Sequence, residues 1–342
     1  LHKNKKMYAD LKKWTPELHK TGAKLFVQLT AGFGRSFTIS EMMEKLYTNP
    51  ALRVLSKPFM DLDKITASAS PSPNRWSDKV PSREMTKAEI KEFVNAFAES
   101  AKMLKDAGVD GVEVHAVHEG YLLDQFTLKY VNKRTDEYGG SAENRARFAV
   151  EAVSAVHAAV PGMPIDYKLA VRQKEPHYGN AGVVEEELPI FVPLLERAGV
   201  TSFHVTLANH SALENTIPPA NLPYFGHPGC FLKFCNEVRQ YTDLPICGVG
   251  GLNDPDFVEQ QLFDGRIQCA AMSRQLLADP DWVNKLKNGQ AKQIHRCVRC
   301  NKKCLGGLMA HQGTRCVYDA LREKEAQKAY DYFLLGLSLI HI

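Results

Sequence analysis

The sequence predicts an α/β fold built on a parallel sheet, and three observations carry that reading. Short runs rich in β-branched and apolar residues recur at 24–29, 111–115, 165–171, 202–207, 245–250 and 268–272. Segments of helical character lie around them, at 8–20, 86–106, 143–159, 185–198, 230–241, 255–263 and 280–287. Strands alternating with helices call for parallel strands whose faces are both covered. The third observation is the count: six strand–helix units, two short of the eight that close a (β/α)8 TIM barrel. The expectation is a barrel lacking its first two strands, which would lie before Leu1, an N-terminal truncation that agrees with a chain opening in mid-pattern. The competing arrangement, an open doubly wound sheet, would bring a glycine-rich dinucleotide fingerprint to the head of a helix, and no helix here opens on one.

Each element has a local cause. The first helix ends at Gly22. A long connection at 30–83, with Pro and Ser concentrated in ASASPSPNRW, predicts a loop. Thr86 and Glu89 have capping-box spacing and open the helix that runs to Asp106. The helix at 143–159 is closed by Pro161 and Gly162, and that at 185–198 by Gly199.

Composition excludes several classes. At 342 residues, 44% hydrophobic and 24% charged, the chain can bury a full core. A net charge of +4 is too small to argue for nucleic acid or a membrane surface as partner. The apolar run at 333–342 is too short to span a bilayer, and no signal peptide is visible, so the expected location is cytoplasmic. The last six residues, LSLIHI, are what a translated sequencing-library adapter would encode, and 337–342 is set aside as an adapter artefact.

Chemistry concentrates at 110–140, DGVEVHAVHEGYLLDQFTLKYVNKRTDEYGG. The strand at 111–115 ends on His115, and His118 and Tyr121 follow within seven residues. Two imidazoles three apart in a strand-to-loop turn can converge on one acceptor oxygen, which suits a carbonyl becoming an enolate. A phenol just beyond can donate a proton. Any one of the three alone would read as a half-buried structural residue; the grouping at one strand end is what points to a site.

In barrels of this kind, phosphate commonly binds at the loops after strands seven and eight. Here those loops carry Gly250-Gly251 and Ser273-Arg274. The glycines allow close backbone approach, and Arg274 can pair with an anion through its planar fork. Four of the eight cysteines crowd into twenty residues as Cys297-x2-Cys300-x3-Cys304-x11-Cys316. That spacing in a large enzyme-like chain favours metal ligation over disulfides, and four thiolates suit either zinc or an iron–sulfur cluster. Between Ala291 and Val317 there are six basic residues and no acidic one, a shell that offsets the charge of an anionic thiolate centre. A basic zinc ribbon binding nucleic acid would need interleaved aromatic residues for stacking, and the stretch has none.

HAVHEGYLLDQF followed by NKRTDEYGGSAENRARF resembles the old yellow enzyme family of flavin-dependent ene-reductases, over about residues 22–316. Within it the resemblance is to the anaerobic branch of 2-enoate reductases, 2,4-dienoyl-CoA reductases and bile-acid-inducible NADH-dependent steroid oxidoreductases. It implies FMN in the barrel and hydride delivery to an activated C=C bond of a small unsaturated carbonyl compound, with Tyr121 as proton donor and His115 and His118 on the carbonyl oxygen. It implies Gln28 on the pyrimidine edge of the flavin, and Lys168 where most relatives carry an arginine near flavin N1. It implies Gly250, Gly251, Ser273 and Arg274 at the flavin phosphate. It also decides for a [4Fe-4S] cluster on Cys297, Cys300, Cys304 and Cys316. The organisation expected is a partial FMN barrel at 1–290, a cluster segment at 291–318, a truncated linker at 319–336, and FAD and NAD(P)H on a missing C-terminal domain of the full-length protein. Two rivals remain: a flavin and iron–sulfur amine dehydrogenase on the same barrel, and a non-catalytic zinc-binding module. Whether the chain forms a homo-oligomer is open in the sequence.

Overall fold

The computed structural model of the chain describes residues 4–117, 120–173, 175, 182–207 and 213–321. They group into two compact units, the first at 1–211 with 237–244, the second at 212–236 with 245–342.

The first unit runs α1 (Lys5–His19), β1 (Phe26–Leu29), α2 (Glu41–Thr48), α3 (Pro50–Ser56), α4 (Leu62–Ile65), α5 (Lys87–Asp106), β2 (Gly111–His115), α6 (Leu122–Thr127), α7 (Ala142–Ala159), β3 (Ile165–Arg172), β4 (Val183–Val184), α8 (Leu188–Ala198) and β5 (Ser202–Thr206). β1, β2, β3 and β5 pair in parallel in that order, and the short β4 adds to the end of β3. In register, Gln28 lies opposite Glu113, Glu113 opposite Asp166, His115 opposite Lys168, and Lys168 opposite His204. Side chains alternate across a strand, so this whole set shares one face of the sheet. The other face packs under helices: Val112, Val114, Tyr167, Phe203 and Val205 are all buried. Above them, α5 turns Ile90, Val94, Phe97 and Leu104 inward, and α7 turns Phe148, Val153 and Val156 inward. The capping box that opens α5 is complete, with Thr86 Oγ1 accepting from Glu89 N and the Glu89 carboxylate accepting from Thr86 N.

The second unit holds α9 (Leu213–Thr216), the start of α10 (Leu232–Arg239), β6 (Ile246–Gly248), α11 (Pro255–Phe263), β7 (Cys269–Ala270), α12 (Arg274–Ala278), α13 (Trp282–Lys287) and α14 (Leu305–Met309). β6 and β7 are a parallel pair.

All six strands expected from the sequence are present, β6 and β7 reduced to three and two residues. The connection at 30–83 departs from expectation: it is not a plain loop but carries α2, α3 and α4. Each is short and opened by a capping side chain, Ser40, Asn49 and Asp61 respectively, too brief for helical periodicity to reveal. Beyond Leu321, the linker expected at 319–336 lies outside the described residues. No helix among the described residues is long and apolar enough to cross a membrane.

Candidate active site and cysteine centre

His115 closes β2 and is buried, and its ring meets the Tyr121 ring edge-on with centroids 3.9 Å apart. On its other side Tyr121 packs against Phe33 at 5.1 Å. Burial pushes the Tyr121 phenol above its ordinary pKa, so at neutral pH it keeps its proton.

The chain holds Tyr121 here through α6, which begins one residue later. Leu122 N donates to Gly32 O at 2.9 Å, and Gln125 Nε2 donates to Phe33 O at 2.7 Å. Gln125 Oε1 accepts from Ser68 Oγ at 2.7 Å and from Arg35 N at 3.2 Å. Gly34 sits against this amide at φ +48°, and a Cβ there would come within 2.5 Å of Gln125 Oε1, so only glycine fits. The far end of α6 is closed by the second half of the family-like motif. Asn132 Nδ2 donates to Phe126 O and Tyr138 O at 2.7 and 2.8 Å, and the Arg145 guanidinium donates to Thr127 O. Arg134, buried, pairs with Asp136 and donates to Met85 O at 2.7 Å. NKRTDEYGGSAENRARF is thus a clamp on the turn that presents Tyr121, since it satisfies carbonyls left open at a helix end.

The same face of the sheet carries a polar network that sequence reasoning missed. Glu113 Oε2 pairs with His204 Nδ1 at 2.8 Å, and Glu113 Oε1 accepts from Gln28 Nε2. A carboxylate can only accept, which orients the Gln28 amide with its NH2 toward Glu113. Asp166 accepts from Ser202 Oγ at 2.5 Å, and burial together with the charge of Glu113 drives its pKa well above the ordinary carboxylate range. Donor atoms of Glu113, Asp166 and His204 lie within 4.8 Å of one another. Both Glu113 oxygens are already engaged, so the trio reads as a hydrogen-bonded support. The visible signal was parity: Glu113 has the strand phase of His115, and Asp166 and His204 are ionisable residues within apolar runs.

Of the expected first-unit residues, the structure brings His115 and Tyr121 into contact, sets Lys168 opposite His115 in register, and places Gln28 on the same face. His118 lies outside the described residues.

In the second unit, Gly250 and Gly251 follow β6 at φ +112° and +67°. A Cβ at Gly250 would sit 2.7 Å from Phe231 Cδ2, and one at Gly251 2.9 Å from Arg299 Nη1. This left-handed, side-chain-free turn suits close approach by an anion such as the FMN phosphate. Ser273 is the N-cap position of α12 and Arg274 its first residue. Arg274 Nη1 donates to Asn301 Oδ1 at 2.6 Å and to Pro218 O at 3.0 Å, which aims it toward the cysteine segment.

Cys297, Cys300, Cys304 and Cys316 all line one cavity, together with Arg274, Arg299, Lys303 and Arg315. Burial and the neighbouring Cys304 and Cys300 push the Cys297 thiol up, while Arg299 N–H donates to its sulfur at 3.4 Å. Arg299 and Asn301, on either side of Cys300, both take left-handed backbone angles (φ +49° and +57°), uncommon for non-glycine residues. Asn301 Nδ2 and Asn253 Nδ2 pin the loop, donating to Ile217 O and Cys297 O at 2.6 Å each. Four thiols around one hole in a cationic shell match the ligand set of a thiolate-bound centre.

A half-barrel of parallel strands with ionisable groups at a strand's C-terminal end defines an enzyme-type α/β barrel. The chain belongs to the NADH:flavin oxidoreductase / NADH oxidase family, whose sequence pattern matches residues 3–293. It is 53% identical over 236 residues to a bilirubin reductase of Clostridium symbiosum, covering 69% of this chain and 62% of that protein. It is 33% identical over 320 residues to a cinnamate reductase of Clostridium sporogenes, covering 91% of this chain and 45% of that protein. The chain therefore spans less than two thirds of either relative. Among solved structures it is similar to a 2-naphthoyl-CoA reductase bound to 2-naphthoyl-CoA, with TM-score 0.62 and 29% identity over 72% of this chain and 36% of that one. A histamine dehydrogenase from Rhizobium sp. 4-9 shares the fold at TM-score 0.73 and 24% identity, over 90% of this chain and 41% of that one.

Proposed function

We propose that the chain is the reducing core of an enzyme that saturates C=C bonds conjugated to a carbonyl. The observation that carries this is the edge-on contact of His115 with Tyr121 at the end of β2. His115, with His118, donates to the substrate carbonyl oxygen and stabilises negative charge as it grows there. Tyr121, kept protonated by its burial, gives its O–H proton to the α-carbon. Glu113 holds Gln28, and Gln28 and Lys168 face the flavin ring; a lysine serves near N1 as a point charge where an arginine would offer a fork. Gly250, Gly251, Ser273 and Arg274 serve the FMN phosphate, and the four cysteines the [4Fe-4S] cluster. When bound, FMN supplies the hydride and the cluster supplies electrons to it. In the whole protein those electrons come from NAD(P)H through FAD on a further domain, and the enzyme works in the cytoplasm.

The substrate class is that of the relatives' names, cinnamate and bilirubin. An amine dehydrogenase would bring a substrate cation to an aromatic bowl, whereas the group at this strand end is a histidine against a phenol. Against a zinc module, the cationic lining from Arg274, Arg299, Lys303 and Arg315 supports an anionic iron–sulfur centre.

The test is Tyr121→Phe in protein reconstituted with FMN. Reoxidation of the reduced protein by cinnamate should slow by about 10²–10⁴-fold, with reduction by dithionite unchanged. Equal slowing of both half-reactions would remove Tyr121 from the role.

A further inference from the structure

Two cysteines outside the quartet face each other across the β6–β7 ladder. Cys247 and Cys269 are register partners in this parallel pair. Adjacent strands run about 4.8 Å apart, within the ~4.4–6.8 Å between Cα atoms that a disulfide spans. The next residue along β6, Gly248, points the other way: a Cβ there would meet Leu232, Ile267 and Cys235. By alternation Cys247 and Cys269 therefore share the opposite face.

The neighbouring Cys247 thiol holds the Cys269 pKa down to about 7. Cys269 is exposed and Cys247 half-buried. The other two cysteines outside the quartet differ: Cys230 and Cys235 are buried, and burial pushes the Cys230 thiol up to about 11. An exposed sulfur that is about half thiolate at neutral pH, with a second thiol opposite it in register, is an attacking cysteine next to a resolving one.

We propose that Cys247 and Cys269 form a reversible dithiol–disulfide site that reacts with low-molecular-weight disulfides. The Cys269 thiolate attacks one sulfur of the small disulfide; a protein–small-thiol bond forms, the small S–S bond breaks, and the first small thiolate leaves. Cys247 then gives up its proton and attacks the Cys269 sulfur. The Cys247–Cys269 bond forms and the second small thiolate departs. The protein loses two electrons and two protons, and one small disulfide becomes two small thiols. A bond between directly opposed, partly exposed strand residues belongs to the readily reduced class, so the site is reversible. The cross-link joins the strands that lead into Gly250-Gly251 and Ser273-Arg274.

The test uses the whole chain purified under nitrogen, with oxidised glutathione as probe, then alkylation, digestion and mass spectrometry. The expected product is a Cys247–Cys269 linked peptide that dithiothreitol removes, with Cys230 and Cys235 recovered as thiols. In Cys247→Ser, Cys269 should stop as the glutathione adduct. Recovery of Cys247 and Cys269 both alkylated after glutathione treatment, or Cys269 linked to a quartet cysteine, would overturn the proposal. Wild-type protein gives a second reading that needs no variant: Cys269 alkylation should be half-maximal near pH 7, and a midpoint at the ordinary thiol value of 9.0 would count equally against it.

Discussion

The sheet face of the first unit and the cysteine loop of the second hold reactive groups by different physics. On the sheet, Gln28, Glu113, His115, Asp166, Lys168 and His204 are placed by strand register, and several are fixed by one another, as in the Glu113–His204 pair at 2.8 Å. In the loop, four half-buried thiols surround a cavity, held by left-handed residues and single side-chain-to-backbone bonds. The first arrangement is braced from within, by Glu113 on His204 and Gln28 and by Ser202 on Asp166. The second is arranged around something it is to bind. Perturbing the sheet face should therefore cost folding free energy, and perturbing the loop should cost a ligand.

The largest expected effect is on the loop. Cys304→Ser should remove most of the iron and acid-labile sulfide from protein purified under nitrogen, while the urea midpoint of the first unit stays put. Iron retained at the wild-type level would erase the contrast. Next comes the sheet face: Glu113→Ala strands His204 and the Gln28 amide and should lower stability by about 3–5 kcal/mol in urea denaturation. A loss under about 1 kcal/mol would mean the pair is not a buried, mutually dependent one.

Asp166 sharpens the comparison through pH. Its carboxyl is pushed well above the ordinary carboxylate range, so above that range the folded chain binds more protons than the unfolded one. The stability it contributes is full below the unfolded value and is lost as pH rises through the folded value. Asp166→Asn, which mimics the protonated form, should flatten the fall in urea midpoint as pH rises above the ordinary carboxylate range; an unchanged slope would assign that fall to other groups. The smallest effect is a control that touches neither group of residues. Thr86→Ala, which opens the capping box of α5, should cost about 1 kcal/mol and leave iron content unchanged.

The strands were legible in the sequence because β-branched runs between helical segments have few other readings, and β2 emerged with the bounds expected of it. The capping box at Thr86 was legible because its signal lies within four residues. What stayed hidden was either brief or remote. α2, α3 and α4 are at most eight residues long, below the length at which a periodic face shows. The Glu113–His204 bond joins residues 91 apart, and only register across β3 brings them together. The Cys247–Cys269 pairing is hidden for the same reason, whereas the quartet is local in sequence and stood out at once.

The central claim is that this strand-end histidine and phenol serve an unsaturated carbonyl, and one experiment addresses it directly. Protein reconstituted with FMN under nitrogen and reduced with dithionite is mixed with cinnamate while flavin absorbance is followed. The account predicts that oxidised flavin returns, with one 3-phenylpropanoate formed for each flavin reoxidised. Flavin that stays reduced with cinnamate, in protein whose oxidised flavin is bleached by trimethylamine, would contradict it.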